Sequence, residues 1–380
     1  MPLYDEWWYN RCMIIMQKER LRYLDLGAGV MILYMMIGHA LQAQFSMEAY
    51  GVLHRIIWPW LDMSHIRMVR GIPIAEYRDA LYPFLHFYMA WFFYKSGQFF
   101  SKRGSMDLLR GDSSKLLRVF VIWSAIGYVF YISLLGMRGA LTLRAATLGV
   151  AKTFVLHGNI PLNYPLWFLF TLFLVRQLAN IVLPAKSSKS FIPVCALVVC
   201  VAYLLSFLLW KYHTQWLPYY IANSIVGLMF FTLGYCISQY ETQWWLCLPC
   251  IVGYIACYIW GFSIVQYFPN TLHAGHYLLN MPTALCGIVT FNVICRLVVK
   301  YVPQIIAPFE IVAKNAMILY VAHGLLYVTI SEVILKFEIV RLMPYAFSLM
   351  IAAYVMLLPG VCILYNRIKK NGVGIRPAIS

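Results

Sequence analysis

The sequence predicts an all-α protein: a polytopic transmembrane helical bundle of about ten spans plus one re-entrant or interfacial helix. Three observations carry this. Of 380 residues, 62% are hydrophobic and 12% charged, whereas a soluble domain has roughly 45–50% apolar and about 25% charged residues. The apolar residues recur in blocks of about 18–22, the length of a membrane-crossing helix. The basic residues behind the net charge of +16 lie mostly between those blocks. Mean hydropathy is accordingly high, at +0.71.

The blocks run Leu24–Ala43, Leu81–Phe100, Val119–Gly136, Tyr164–Leu183 and Phe191–Trp210, then Leu217–Ser238, Trp244–Phe262, Tyr277–Val299, Asn315–Leu335 and Met343–Tyr365. No cleavable signal peptide is expected, because Asp5, Glu6, Arg11, Lys18, Glu19 and Arg20 interrupt any apolar run at the start. Ten spans put both termini on one side. Five basic clusters then share that side: Arg11 to Arg22, Lys102 to Arg118, Lys186 with Lys189, Arg296 to Lys314, and Arg367 to Arg376. The positive-inside rule makes it the cytoplasm, with the chain a multi-pass protein of the cell membrane. Ala140–His157 carries Arg144 and Lys152. Counting it as a span would invert everything after it, so it reads as a re-entrant or interfacial helix on the outer side; an eleven-span chain is the alternative.

The outer connection Gln44–Ala80 holds Trp58-Pro59-Trp60 and mixed charges. It suits a surface-lying helix and loop at the membrane interface, or a lid over a substrate. With neither repeats nor soluble linkers, residues 1–380 read as a single integral-membrane domain. The charge pattern serves topology, so no nucleic-acid partner is expected; the bilayer is the partner, and the oligomeric state is left open. Cys247-Leu-Pro-Cys250 is a lone CxxC inside an apolar block, better read as packing than as a redox or metal pair. His273 and His276 lack the further ligands a zinc site needs, so no metal is expected.

His39 lies fourteen residues after Asp25 in an otherwise apolar span, about 21 Å further along a helix axis. Ionisable side chains inside a membrane cost free energy unless a partner, cavity or substrate meets them. A neutral histidine there can serve as general base or nucleophile, or can simply bond a neighbouring helix. His323 is similarly placed, eight residues beyond Asn315.

Several segments, in order, resemble the membrane-bound acyltransferase 3 family. They are Tyr23-Leu-Asp25 with Gly29 and Gly38-His39; Met89-Ala-Trp-Phe-Phe-Tyr-Lys-Ser96-Gly97; Lys115-Leu-Leu-Arg118; Pro165-Leu-Trp167; and Lys314-Asn315-Ala-Met-Ile-Leu-Tyr320-Val-Ala-His323. The resemblance implies a membrane-bound O-acyltransferase that moves an acyl group, usually acetyl, from acyl-coenzyme A to a hydroxyl of a cell-surface glycan or lipid-linked sugar. It implies His39, Asp25 and His323 as catalytic residues. Lys115 and Arg118, matching the family's basic pair at the opening of the third helix, and Arg22 are implied for the phosphates of the acetyl-CoA donor. The chain departs from the family at Ala28, where a basic residue eleven positions before the histidine is usual; Arg22 and Lys95 are the residues to which that task would shift. Ala90, Ala313 and Ala316 replace a proline, a glycine and a serine. A transporter or flippase of polysaccharide precursors is the alternative from a different class, and a non-catalytic descendant that holds partner enzymes is a third.

Overall fold

The structure is a computed structural model that describes residues 22–36, two short strands, and residues 85–325 apart from 86, 138, 160–162, 212–217 and 260–276. In chain order its elements are α1 (22–36), β1 (Arg67–Val69), β2 (Ile72–Ile74), α2 (Tyr88–Gln98), α3 (Ser105–Met137), α4 (143–157), α5 (Trp167–Val182), α6 (Phe191–Lys211), α7 (Tyr219–Ile237), α8 (Trp244–Ile259), α9 (Tyr277–Tyr301), α10 (Ile306–Lys314) and α11 (Ala316–Leu325). The architecture is helical, as expected. The strands form one antiparallel hairpin with Val69 opposite Ile72. Arg70 and Gly71 alone separate them, a length and composition suited to a tight hairpin turn. This part of the 44–80 connection is therefore strand where a surface helix was expected.

Among the described residues, four helices are long and apolar enough to cross a membrane: Ser105–Met137, Phe191–Leu209, Tyr220–Tyr240 and Met281–Tyr301. Helices α10 and α11 pass that test together but are bent by 67° at their junction. The block Met343–Tyr365 and the outer half of Leu24–Ala43, including His39, lie outside the described residues. Burial separates the long helices: 78% of the apolar window in Tyr220–Tyr240 is buried, against 11% in α3 and 17% in α6. Thus α7 is a core helix, while α3 and α6 present apolar surface outward, as lipid-facing helices do.

The contacts gather into two compact units, Tyr82–Tyr301 and Met1–Leu81 with Val302–Ser380. Within the first, side-chain contacts set the helix directions. Phe93 meets Phe168 with ring centres 5.0 Å apart, and eight residues on, Arg176 lies 5.7 Å from the Phe100 ring. Helices α2 and α5 therefore run the same way. So do α5 and α7, where Phe170 meets Tyr220 and Val175 meets Gly227, and α2 and α9, where Phe87 meets Gly287 and Trp91 meets Asn292. In contrast, Asp112 pairs with Arg176 while Phe120 meets Phe170, so α3 opposes α5. Phe191 at the start of α6 meets Tyr235 near the end of α7. Cys257 meets Thr283 while Glu241, just before α8, meets Arg296. Helices α2, α5, α7 and α9 thus oppose α3, α6 and α8, the alternation of a chain that threads back and forth. The intervening α4 leaves α3 and α5 opposed, in keeping with a segment that does not cross.

The tightest packing is reciprocal. A Cβ on Gly97 would strike the carbonyl oxygen of Phe231, and a Cβ on Gly234 that of Tyr94. Small residues let helix backbones touch in this way, the means by which membrane helices gain contact without a hydrophobic drive. In the second unit, Gly29 of α1 packs in the same manner on the Phe309 carbonyl of α10. Asn315 occupies the α10–α11 bend and donates its Nδ2–H to the Ile311 carbonyl at 2.8 Å. That bond satisfies a carbonyl near the break, which an apolar side chain would not.

Candidate functional site

The chain segment after α2 is tied to the end of α5. Lys102 Nζ donates to the Leu183 carbonyl at 2.7 Å, a basic side chain on the last carbonyls of a helix. Asn180 accepts from the Arg103 amide at 3.1 Å and donates to the Arg103 carbonyl at 3.0 Å. One helical turn earlier, Arg176 Nε and Gln177 Nε2 both donate to Asp112 Oδ2, at 2.8 and 3.1 Å. Asp112 is only 5% exposed, so these donors compensate a charge that burial alone would penalise.

Helix α3 begins with Asp107 in its first turn, where the helix dipole favours an acid. It buries Leu108, Asp112, Leu116 and Phe120 at four-residue spacing and leaves the opposite face to solvent. Lys115 and Arg118 were expected to open this helix. They lie inside it instead, Lys115 within a wide π turn at Ser113–Leu117 and Arg118 directly after it. The polar stretch Ser105–Lys115 falls outside any apolar block, which is why the sequence placed the start too late. Arg103, Arg110, Lys115 and Arg118 are all exposed. Lys186, between α5 and α6, stands 4.8 Å from the Tyr235 ring. The end of the unit where α2, α5 and α7 finish is therefore basic, with backbone held by part-buried hydrogen bonds. Such a surface suits a polyanion.

In the other unit, Arg22 Nε pairs with Glu310 Oε1 at 2.9 Å, and half-buried Asp25 follows one turn later on α1. Ala28 is 5% exposed, inside the packing rather than on a surface. Lys95, in the first unit, lies 5.0 Å from the Trp91 ring. His323 is 1% exposed, and its Nδ1 stands 2.6 Å from the Tyr320 carbonyl. A carbonyl only accepts, so Nδ1 carries the proton and Nε2 is the basic nitrogen of the neutral ring. His39, and with it any geometry relating it to His323, falls outside the described residues. Ala90 sits in the first turn of α2, where proline is tolerated, so that departure leaves the helix intact.

Sequence reasoning missed a buried polar network. Glu241 is fully buried and binds Arg296 Nη2 at 2.5 Å. Asn292 Nδ2 donates to Glu241 Oε1 at 3.0 Å, and Trp91 Nε1 donates to Asn292 Oδ1 at 2.9 Å. Arg296 was expected to serve topology; it is a partner in an ion pair. The signal available was an acid at the edge of one apolar block and an arginine near the end of another, and one sequence does not join them. Cys247 Sγ donates to the Glu241 carbonyl at 2.9 Å, and the described cysteines are all free. Among the described residues, no three His, Cys, Asp or Glu gather as a metal site would require.

Alternating apolar helices, one core helix and a basic end define a polytopic helical membrane protein. The acyltransferase 3 family, described as an acyltransferase domain, matches residues 21–365 and so runs through both units. The chain belongs to that family. No curated protein and no solved structure matches it.

Proposed function

We propose that the protein is an integral-membrane O-acetyltransferase, taking acetyl groups from acetyl-CoA to a hydroxyl of a cell-surface glycan or lipid-linked sugar. The family match over residues 21–365 carries this reading. In it, the basic end of α2, α3 and α5 faces the cytoplasm, as the positive-inside rule requires, and both termini share that side. Lys115 and Arg118 bind the donor phosphates there, their backbone held by the Asp112–Arg176 pair.

Transfer breaks the thioester C–S bond and forms a C–O ester. The acceptor hydroxyl loses its proton to a base, and coenzyme A leaves as the thiol. His39 is the residue at which the acyl group passes, as nucleophile or as base to the hydroxyl. Asp25, on α1, is a further catalytic residue in this reading, and His323, with Nε2 as its basic nitrogen, is the second proton carrier. The test is His39→Ala in native membranes with radiolabelled acetyl-CoA. Label in the glycan fraction should fall by at least a hundredfold while the protein remains membrane-bound with an unchanged melting temperature. Wild-type transfer by that variant would remove His39 from the chemistry.

A further inference from the structure

We infer that the seam between α5 and α7 binds the hydroxyl-bearing sugar of the acceptor, through Thr171 and Asn223. The inference rests on the acetyltransferase reading above and adds a site to it. Thr171 is 0% exposed and Asn223 is 6% exposed. Among the described residues, Thr171 Oγ1 and Asn223 Oδ1 have no hydrogen-bond partner. Buried polar atoms are almost always bonded, and the exceptions ask for an explanation.

The register of the two helices brings these residues together. Val175 Cγ2 lies 3.0 Å from where Gly227 would carry a Cβ. Thr171 is one turn before Val175, and Asn223 is one turn before Gly227. Because α5 and α7 run the same way, stepping back four residues on each places Thr171 beside Asn223. Further along the seam, Phe170 and Tyr220 meet at 5.3 Å, and Gly158 packs against both.

A carboxamide and a hydroxyl each offer both a donor and an acceptor, as a sugar hydroxyl does. They carry no charge, so they suit a neutral polyol better than a phosphate. A few polar groups set among aromatic and apolar walls is the usual makeup of a small-molecule site. Position agrees as well. The basic end is fixed by Lys102 on the Leu183 carbonyl, and Thr171 lies twelve residues back along α5, about 18 Å by helical rise. The neutral polar seam is thus at the other end of the helix from the charges offered to the donor.

Thr171→Val and Asn223→Leu test this in native membranes supplied with radiolabelled acetyl-CoA. Label in the glycan fraction should fall at least tenfold in each, while acetyl-CoA binding and the melting temperature of the solubilised protein hold. Wild-type transfer in both variants overturns the inference. A lowered melting temperature with parallel loss of donor binding also overturns it, because the residues would then serve packing alone. Should the unmodified protein neither bind acetyl-CoA nor transfer label, the acetyltransferase reading fails by itself. Thermal shift with octyl glucoside, against the sugar-free octyl tetraoxyethylene, then reads the seam separately. A glucoside-specific shift lost in Asn223→Leu upholds the sugar site, and no such shift overturns it.

Discussion

Gly97 illustrates how a familiar motif residue acquires a physical reason. It closes the aromatic run that resembles the family's second motif, yet its role here is steric: the Phe231 carbonyl occupies the space of any side chain. Its counterpart, Gly234, stands 137 positions away with nothing in the local sequence to distinguish it. Gly97→Ala or Gly234→Ala should cost about 1–3 kcal/mol, because well-packed helices must part to admit a methyl. Gly111 is the control, since no atom lies within 4 Å of its added Cβ, and Gly111→Ala should be neutral or slightly stabilising. Melting of the three variants in detergent checks both expectations. Glu241 is the second residue whose weight is structural. Glu241→Ala removes the carboxylate that accepts from Arg296 Nη2 and Asn292 Nδ2 and should cost about 3–5 kcal/mol, read by chemical or thermal unfolding. That pairing spans 55 residues and was beyond the reach of charge counting along one chain.

At the scale of elements, α3 departs most from its sequence reading. Apolar patterning located the crossing portion but not the thirteen residues before Arg118 that extend the same helix outward. Their helicity depends on one buried stripe against α5, and Asp112 is its polar member. The π turn that follows Asp112 re-aims Lys115 and Arg118 relative to an unbroken helix, as such insertions do at functional sites. On the proposed reading, Asp112→Asn weakens the clamp on that turn. The KM for acetyl-CoA should rise severalfold, by about 1 kcal/mol of lost hydrogen-bond and charge interaction, while kcat holds. Steady-state kinetics over a donor series separates the two. The start of α11 was legible, because Asn315 opens an apolar block; the 67° bend before it was not, since an asparagine does not disclose which carbonyl it will serve.

Across the whole molecule, the alternation of helix direction in Tyr82–Tyr301 follows the order of the apolar blocks. Those blocks were readable because lipid imposes one demand, length and apolarity, on each crossing. The site was less readable. Lys115 and Arg118 were visible as charges, but the half-buried partners that hold their backbone came from α5, 61 and 62 residues beyond Lys115 at Arg176 and Gln177. The proposed orientation has a direct test in a background lacking native cysteines. Ser187→Cys, between α5 and α6, should react with an impermeant maleimide only after permeabilisation, and Leu141→Cys, between α3 and α4, in intact cells. The reverse pattern would invert the molecule in its membrane and take the basic end away from the cytoplasmic donor.

The glycine crossing also sets an order of assembly. Tyr94 and Gly97 must wait for Phe231 and Gly234, more than 130 residues later in synthesis. At about 5–20 residues per second, that wait is on the order of ten seconds. Throughout it, α2, an eleven-residue helix with a lysine near its end, has neither α7 nor α9 to lie against. The most closely fitted helix crossing among the described residues therefore forms long after its first half has been made. A nascent chain halted before α7 should hold α2 only loosely, which makes this helix the natural client of whatever shelters unfinished spans in the membrane.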